Sequence, residues 1–125
     1  MSQEAIEERW PTEIRLNPEK TALRVTFTDG VSEGISAELL RVTSPSAEVQ
    51  GHSPSERRLV PGKRNVTIRD ILQVGNYAVR LVFSDGHDTG IYSWPYLYEL
   101  ARKKDELLTN YLNELAAAGM GRDPK

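Results

Sequence analysis

His87 is one of two histidines in a chain of 125 residues that has no cysteine. It stands beside Asp88, directly after Asp85-Gly86. A histidine with carboxylates nearby suits a labile Fe²⁺ or Zn²⁺ site, and here the co-ligands to consider are Asp88, Glu48 and His52. The absence of cysteine excludes disulfides, thiolate metal sites and cysteine nucleophiles. As an acid–base pair His87 and Asp88 are poorly placed, because neighbouring residues of an extended strand point to opposite faces. The plainer alternative for His87 is a turn histidine satisfied by hydrogen bonds or packed in place. Ser44, Ser46, Ser53 and Ser93 lie in no Gly-x-Ser-x-Gly elbow. Pro61-Gly62-Lys63 lacks the flanking glycines of a phosphate loop. These residues therefore predict no enzyme and no catalytic residues.

Binding chemistry has better candidates. Tyr92, Trp94, Tyr96 and Tyr98 crowd one short span. Trp and Tyr anchor interfaces, so Trp94, Tyr92 and Tyr96 are candidate contact residues, with core packing as the alternative. Trp94 and Tyr96 cannot both share a helix face with Leu97, so one of them is expected at the surface. Arg57, Arg58, Lys63 and Arg64 make the middle of the chain locally basic. Arg57 and Arg58 join the interaction candidates, against the plainer reading of a solvated loop.

The elements that must hold these residues follow from local pattern. Glu13-Ile14-Arg15-Leu16 alternates, and Leu23, Val25 and Phe27 recur with period two. Asp29-Gly30 is a hairpin turn, and Ser32 to Ile35 is the return strand. Ser36 caps a short helix through Ala37-Glu38-Leu39-Leu40-Arg41. Thr43 to Arg64 carries Ser, Pro and Gly without apolar periodicity, so a mobile loop is expected there. Val66 to Ile71 and Ala78 to Phe83 are extended, Ser84-Asp85-Gly86 turns the chain, and Ile91-Tyr92 returns. Ser93 then caps a long helix with Pro95 in its first turn. Its apolar stripe is Leu97, Leu100, Ala101, Leu108, Tyr111, Leu112 and Leu115. Gly119 ends the helix.

The chain repeats itself. A shift of 56 residues aligns Ala22, Arg24, Phe27, Asp29, Gly30, Gly34 and Ile35 with Ala78, Arg80, Phe83, Asp85, Gly86, Gly90 and Ile91. Each unit is strand, Asp-Gly turn, strand, helix. The expected fold is α+β: an antiparallel sheet built from two related hairpin-helix units, with the long C-terminal helix packed on it. Residues 1–11 are expected to be a flexible leader, 12–118 the domain and 119–125 a disordered tail.

The formal charge of −2 offers no basic field for nucleic acid or anionic lipid. The acidic start, Met1 to Glu8, has no apolar run, so neither signal peptide nor membrane span is expected and a cytoplasmic location is the default.

Two stretches, Leu39-Leu40-Arg41-Val42-Thr43-Ser44-Pro45-Ser46-Ala47-Glu48-Val49 and Asp85-Gly86-His87 through Leu97, resemble the gamma-butyrobetaine-hydroxylase-like N-terminal domain family. The resemblance runs from about Pro11 to Leu112. In the hydroxylases this domain precedes a separate iron- and 2-oxoglutarate-dependent catalytic domain, so the resemblance implies the accessory module without the enzyme. The family domain there binds structural zinc through three cysteines and one histidine. Carried over, the cysteine positions fall on Ser44, Ser46 and Val49, and the histidine on His87. Serine is a poor zinc ligand and valine is none, so the resemblance implies a lost zinc site and no tightly bound zinc. Small bacterial members show the same Ser-Pro-Ser-Ala-Glu-Val run. The family also occurs fused to P-loop carriers of iron–sulfur clusters. Two functions result. The first is a non-catalytic accessory or protein-interaction module with an unknown protein partner and no resident cofactor. The alternative is a small iron- or zinc-handling protein associated with iron–sulfur cluster assembly, using His87 and Asp88.

Overall fold

The computed structural model describes residues 10–51 and 53–124. Residues 1–9 of the expected leader, and the candidate co-ligand His52, lie outside the described residues. The elements run β1 (Pro11–Leu16), β2 (Ala22–Phe27), β3 (Ser32–Ser36), α1 (Ala37–Val42), α2 (Ala47–Gln50), a 3-10 turn (Pro54–Glu56), β4 (Ile68–Val74), β5 (Ala78–Phe83), β6 (Ile91–Ser93) and α3 (Trp94–Ala117). The class is α+β with antiparallel strands, and the repeat is a repeat of structure.

The sheet is divided, however. β1-β2-β3 form one three-stranded sheet and β4-β5-β6 another. Each unit is thus β-β-β-α, one strand richer than a hairpin and a helix. The equivalence extends to irregularities. Register shifts between Pro11 and Glu13 opposite β2, and between Ile68 and Asp70 opposite β5. Just after β2 and β5, the Thr28 amide donates to the Trp10 carbonyl and the Ser84 amide to the Thr67 carbonyl. The units join where the Ile68 amide donates to the Lys20 carbonyl at 2.9 Å.

Alternation did the expected work in β2: Leu23, Val25 and Phe27 are buried. In β5, Ala78, Val79, Leu81 and Phe83 are buried. Gly30 and Gly86 take φ of +93° and +92°, the left-handed conformation that each turn requires of its third residue. Ser36 accepts a hydrogen bond from the Leu39 amide and Ser93 from the Tyr96 amide, so both predicted caps are made. The two helices lie on a core to which both sheets contribute, including Ile35, Leu40, Ile68, Tyr92, Leu97 and Leu100.

One residue of slippage separates the repeats. Leu23 faces Ile35 across the first hairpin, whereas Val79 faces Tyr92 across the second. Ile35 is therefore matched by buried Tyr92, and Ile91 is exposed. The two turns close alike, and the extra residue lies between His87 and Gly90, so beyond it the structural offset is 57 and Trp94 stands where the first unit has Ala37.

Two segments carry more structure than their local pattern implies. The segment 119–124 is not a free tail. Gly62 and Arg64 donate their amides to the carbonyls of Gly121 and Arg122 at 2.9 Å. Arg122 also grips the carboxylate of Glu38 through Nε at 3.0 Å and Nη2 at 2.6 Å. Glu38 is 5% exposed, and a buried carboxylate needs such a partner. The stretch after Thr43 likewise holds an ordered turn of helix, α2, with Ser44 and Val49 buried.

Candidate functional site

The chemistry-bearing residues converge where the second hairpin turn meets the chain leaving α1. Asp85 Oδ1 accepts from the His87 amide at 3.1 Å, closing the turn and tilting the imidazole inward. His87 is 7% exposed. Its Nε2 lies 2.8 Å from Ser44 Oγ and its Nδ1 lies 3.4 Å from Glu48 Oε1. With Nδ1–H turned to the carboxylate, Nε2 accepts from the Ser44 hydroxyl. Ser44 Oγ accepts from the Ser46 amide at 3.3 Å, and the Gln50 side chain donates to the Ser44 carbonyl at 2.9 Å. Ser46 Oγ lies 2.6 Å from Thr89 Oγ1, which also donates to Glu48 Oε1 at 3.0 Å. Burial, aided by the neighbouring Arg41 guanidinium, pushes the His87 pKa below its ordinary value, although Glu48, Asp85 and Asp88 pull it up.

Beneath the turn, Asp85 Oδ2 takes Arg41 Nε at 2.8 Å and Lys63 Nζ at 2.7 Å. Burial opposes its charge. Hydrogen bonds from Lys63, the His87 amide and Arg41 outweigh that, and hold the carboxyl at about 2. The equivalent Asp29 accepts from the Val31 amide at 3.0 Å and from the Tyr98 hydroxyl at 2.6 Å. Tyr98 occupies in α3 the place that Arg41 occupies in α1, at the offset of 57. Each unit's turn aspartate therefore holds the same position of the other unit's helix.

Of the three positions that the resemblance maps to cysteines, Ser44 alone contacts His87. Ser46 is bonded to the Ser44 side chain, and Val49 lines the same cleft. Asp88 is not brought in: its carboxylate is turned to Arg80 at 3.9 Å, and its carbonyl accepts from the same guanidinium at 3.1 Å. Strand geometry explains this, since Arg80 flanks the turn on the outer side. Of the described co-ligand candidates Asp88 and Glu48, Glu48 is the one that faces His87. Among the described residues no three His, Cys, Asp or Glu side chains converge as metal ligands. Arg41, Asp85 and Thr89 were missed as site residues. The signal for Asp85 was present in its echo, Asp29, and that for Arg41 in the Leu-Leu-Arg run.

The aromatic candidates separate. Tyr92 is wholly buried, with its hydroxyl donating to the Leu40 carbonyl, so it is no contact residue. Core position on β6, forced by the one-residue slip, is the reason. Tyr96 is half-buried and donates to the Thr43 carbonyl. Trp94 is half-buried too, with Nε1 donating to the Asn76 carbonyl at 2.8 Å. The expectation that one of this pair stands free of the core is not met: both pack partly against it. Trp94 borders a groove with Trp10, Pro11, Gln73 and Asn76, flanked by Tyr77, whose carbonyl accepts from the Trp94 amide. Trp10 is 48% and Tyr77 56% exposed. Arg57 is paired with Glu114 on α3, while Arg58 is exposed at the mouth of the His87 cleft.

Fold and site together define a small α+β module of two β-β-β-α units, with a hydrogen-bonded polar centre at the second turn. The chain belongs to the gamma-butyrobetaine hydroxylase-like, N-terminal family, whose model matches residues 14–98. Two solution NMR structures are similar. One is 47% identical with a TM-score of 0.81, over 94% of this chain and 93% of that one. The other is 49% identical with a TM-score of 0.79, over 93% of this chain and 86% of that one. A crystal structure of a DUF971-family protein of unknown function from Acidithiobacillus ferrooxidans ATCC 23270 is 38% identical, with a TM-score of 0.62 over 74% of this chain and 92% of that one. A search among curated proteins found no match. Among the described residues no helix is long and apolar enough to cross a membrane.

Proposed function

We propose that this chain is a non-catalytic protein-interaction module whose contact surface is the groove around Trp94. One observation carries the reading. Trp10 and Tyr77 are exposed beside a half-buried Trp94, all at one edge of the fold. Aromatic rings left accessible next to a rigid groove are the usual anchors of an interface. The first unit has Ala37 at the place of Trp94, so the fold itself does not demand an indole there.

The polar centre supports the same reading from the other side. A general base must be free to reach a substrate proton. His87 is buried, its Nε2 is occupied by Ser44, and its Nδ1 faces Glu48. The alternative, an iron- or zinc-handling role, would require His87 to leave Ser44 and gather ligands beyond Glu48.

The test is affinity capture of protein partners by the intact chain and by Trp10→Ala and Trp94→Ala variants, with far-ultraviolet circular dichroism and melting as fold controls. Loss of the same captured proteins from both folded variants is the expected result. Identical capture by wild type and variants would overturn the reading. Metal analysis of the purified chain adds a separate arm: iron or zinc retained in stoichiometric amount, and lost from His87→Val, would favour the metal-handling role.

A further inference from the structure

A second surface shares no lining residue with the Trp94 groove and stands separately from it. It is an open cleft of about 440 Å³ between α1, α2 and the irregular stretch through Leu59 and Pro61. Its lining includes apolar Val49, Leu59 and Pro61, together with Arg41, Arg58, Glu48 and the His87 ring. A buried N–H is normally given an acceptor in a folded protein. One at this cleft is not. Arg41 gives Nε to Asp85 but keeps Nη1 buried with no acceptor, an arrangement that costs the desolvation of that N–H without return. Arg58 has its backbone amide fixed to the Val49 carbonyl at 2.6 Å. Its guanidinium has no ion-pair or hydrogen-bond partner among the described residues, whereas its neighbour Arg57 is paired with Glu114.

The acids nearby do not neutralise this pair. Asp85 is shared between Arg41 and Lys63, and Glu48 is occupied by Thr89 and His87. With His87 neutral the cleft keeps a surplus positive charge. An anionic group would meet that surplus, and the apolar lining residues suit a hydrocarbon body attached to it. A planar carboxylate fits a guanidinium fork better than a point charge does.

We propose that this cleft binds a carboxylate borne on an apolar-flanked segment of a partner protein, an acidic peptide in which a Glu or Asp is bordered by Leu, Ile or Val. Arg58 is the primary contact, because it is exposed and held only at its backbone. Arg41 supports it from within, and Val49, Leu59 and Pro61 receive the flanking side chain. The cleft is open rather than enclosed, which suits a continuous chain over a small acid that would need to be surrounded to be held.

The probes are three: the blocked tripeptide acetyl-Leu-Glu-Leu-amide, its Gln counterpart, and free hexanoate. Each is titrated into the full ¹⁵N-labelled chain at low salt, following the arginine Nε–H signals and the His87 ring. The Glu peptide is expected to shift Arg58 and His87 together, saturably, and at least tenfold more tightly than the Gln peptide or hexanoate. Binding should weaken as salt is raised. Arg58→Gln should abolish it with an unchanged melting temperature, since that side chain supports nothing in the fold. Equal binding of the Glu and Gln peptides would show that charge is not recognised and would overturn the proposal. Equal binding of hexanoate would overturn the assignment to a protein segment. Unaltered binding by Arg58→Gln, or no shift in wild type at millimolar peptide, would overturn the site.

Discussion

Asp85 is the residue on which the polar centre depends. It closes the turn, orients His87 and joins α1 to the loop through Arg41 and Lys63. Hydrogen bonds to a charged group are worth about 1.5–3 kcal/mol each when net favourable, and the three here share one carboxylate and are not additive, so Asp85→Ala should lower stability by at least about 2–3 kcal/mol in urea melts. The pH dependence has a fixed sign. The folded carboxyl titrates at about 2 against an ordinary 3.8, so the folded state binds the proton less readily. Its contribution is complete above about 3.8 and is lost as pH falls toward 2. Asp85→Asn should flatten that part of the stability–pH curve, and an unaltered curve would mean the carboxylate is not held as described. Gly90 makes a second residue-scale case. A Cβ there would lie 2.4 Å from Ser44 Oγ and 3.1 Å from the Tyr92 ring. Gly90→Ala should cost about 1–3 kcal/mol, with part recovered in the Gly90→Ala/Ser44→Ala double variant. Ser44, Ser46 and Val49, the positions that the resemblance maps to cysteines, can be tested for whether they meet at His87. Ser44→Cys/Ser46→Cys/Val49→Cys should retain one zinc per chain with His87, and its melting temperature should then fall on chelation. A variant that keeps no zinc would show that the four positions do not meet.

Along α3 the stripe read from the sequence is graded by depth. Leu97, Leu100, Ala101, Tyr111 and Leu115 are buried, while Leu108 and Leu112 are half-buried at its margin. A large cost for Leu108→Ala, expected from periodicity alone, therefore belongs to Leu100 instead. Leu100→Ala should cost about 2–5 kcal/mol and Leu108→Ala distinctly less, both measured by urea denaturation. Equal costs would mean that α3 is rotated about its axis relative to the sheets. Periodicity identified the face of the helix. It could not say how far along that face the two sheets reach, since their extent depends on strands distant in sequence. The repeat behaved the same way. The matched Ala, Arg, Phe, Asp and Gly positions were legible, but the one-residue slip that buries Tyr92 and exposes Ile91 was not. Gly90-Ile91 copies Gly34-Ile35 in letters and departs from it in register.

At the scale of the molecule, the two units are held by exchange. The turn aspartate of each bonds the helix of the other, Asp29 to Tyr98 and Asp85 to Arg41. The segment beyond α3 adds a third tie, Arg122 on the buried Glu38. Removing one member of a buried ion pair strands the other charge and costs about 3–5 kcal/mol. Arg122 is itself partly exposed, so Arg122→Ala or removal of residues 119–125 should fall below that range, at about 1–3 kcal/mol. Glu38→Gln should relieve much of the loss in a double-mutant cycle. Full stability after truncation would show that Glu38 finds another partner.

By itself the sequence determined what local physics controls: the alternation of β2 and β5, the Asp-Gly turns, both serine caps, the face of α3, the internal repeat and the kinship with the gamma-butyrobetaine hydroxylase-like, N-terminal family. These depend on residues within a few positions of one another, or on letters matched at a constant offset. Tertiary structure decided the rest. It divided the strands into two sheets, chose Glu48 over Asp88 for His87, buried Tyr92, and left Trp10, Tyr77 and Arg58 accessible. It also drew the segment after Gly119 onto Glu38. Each of those outcomes is a contest between distant groups for one partner or one place in the core. Burial and charge pairing settle such contests only after the chain has closed on itself, so no local pattern encodes them.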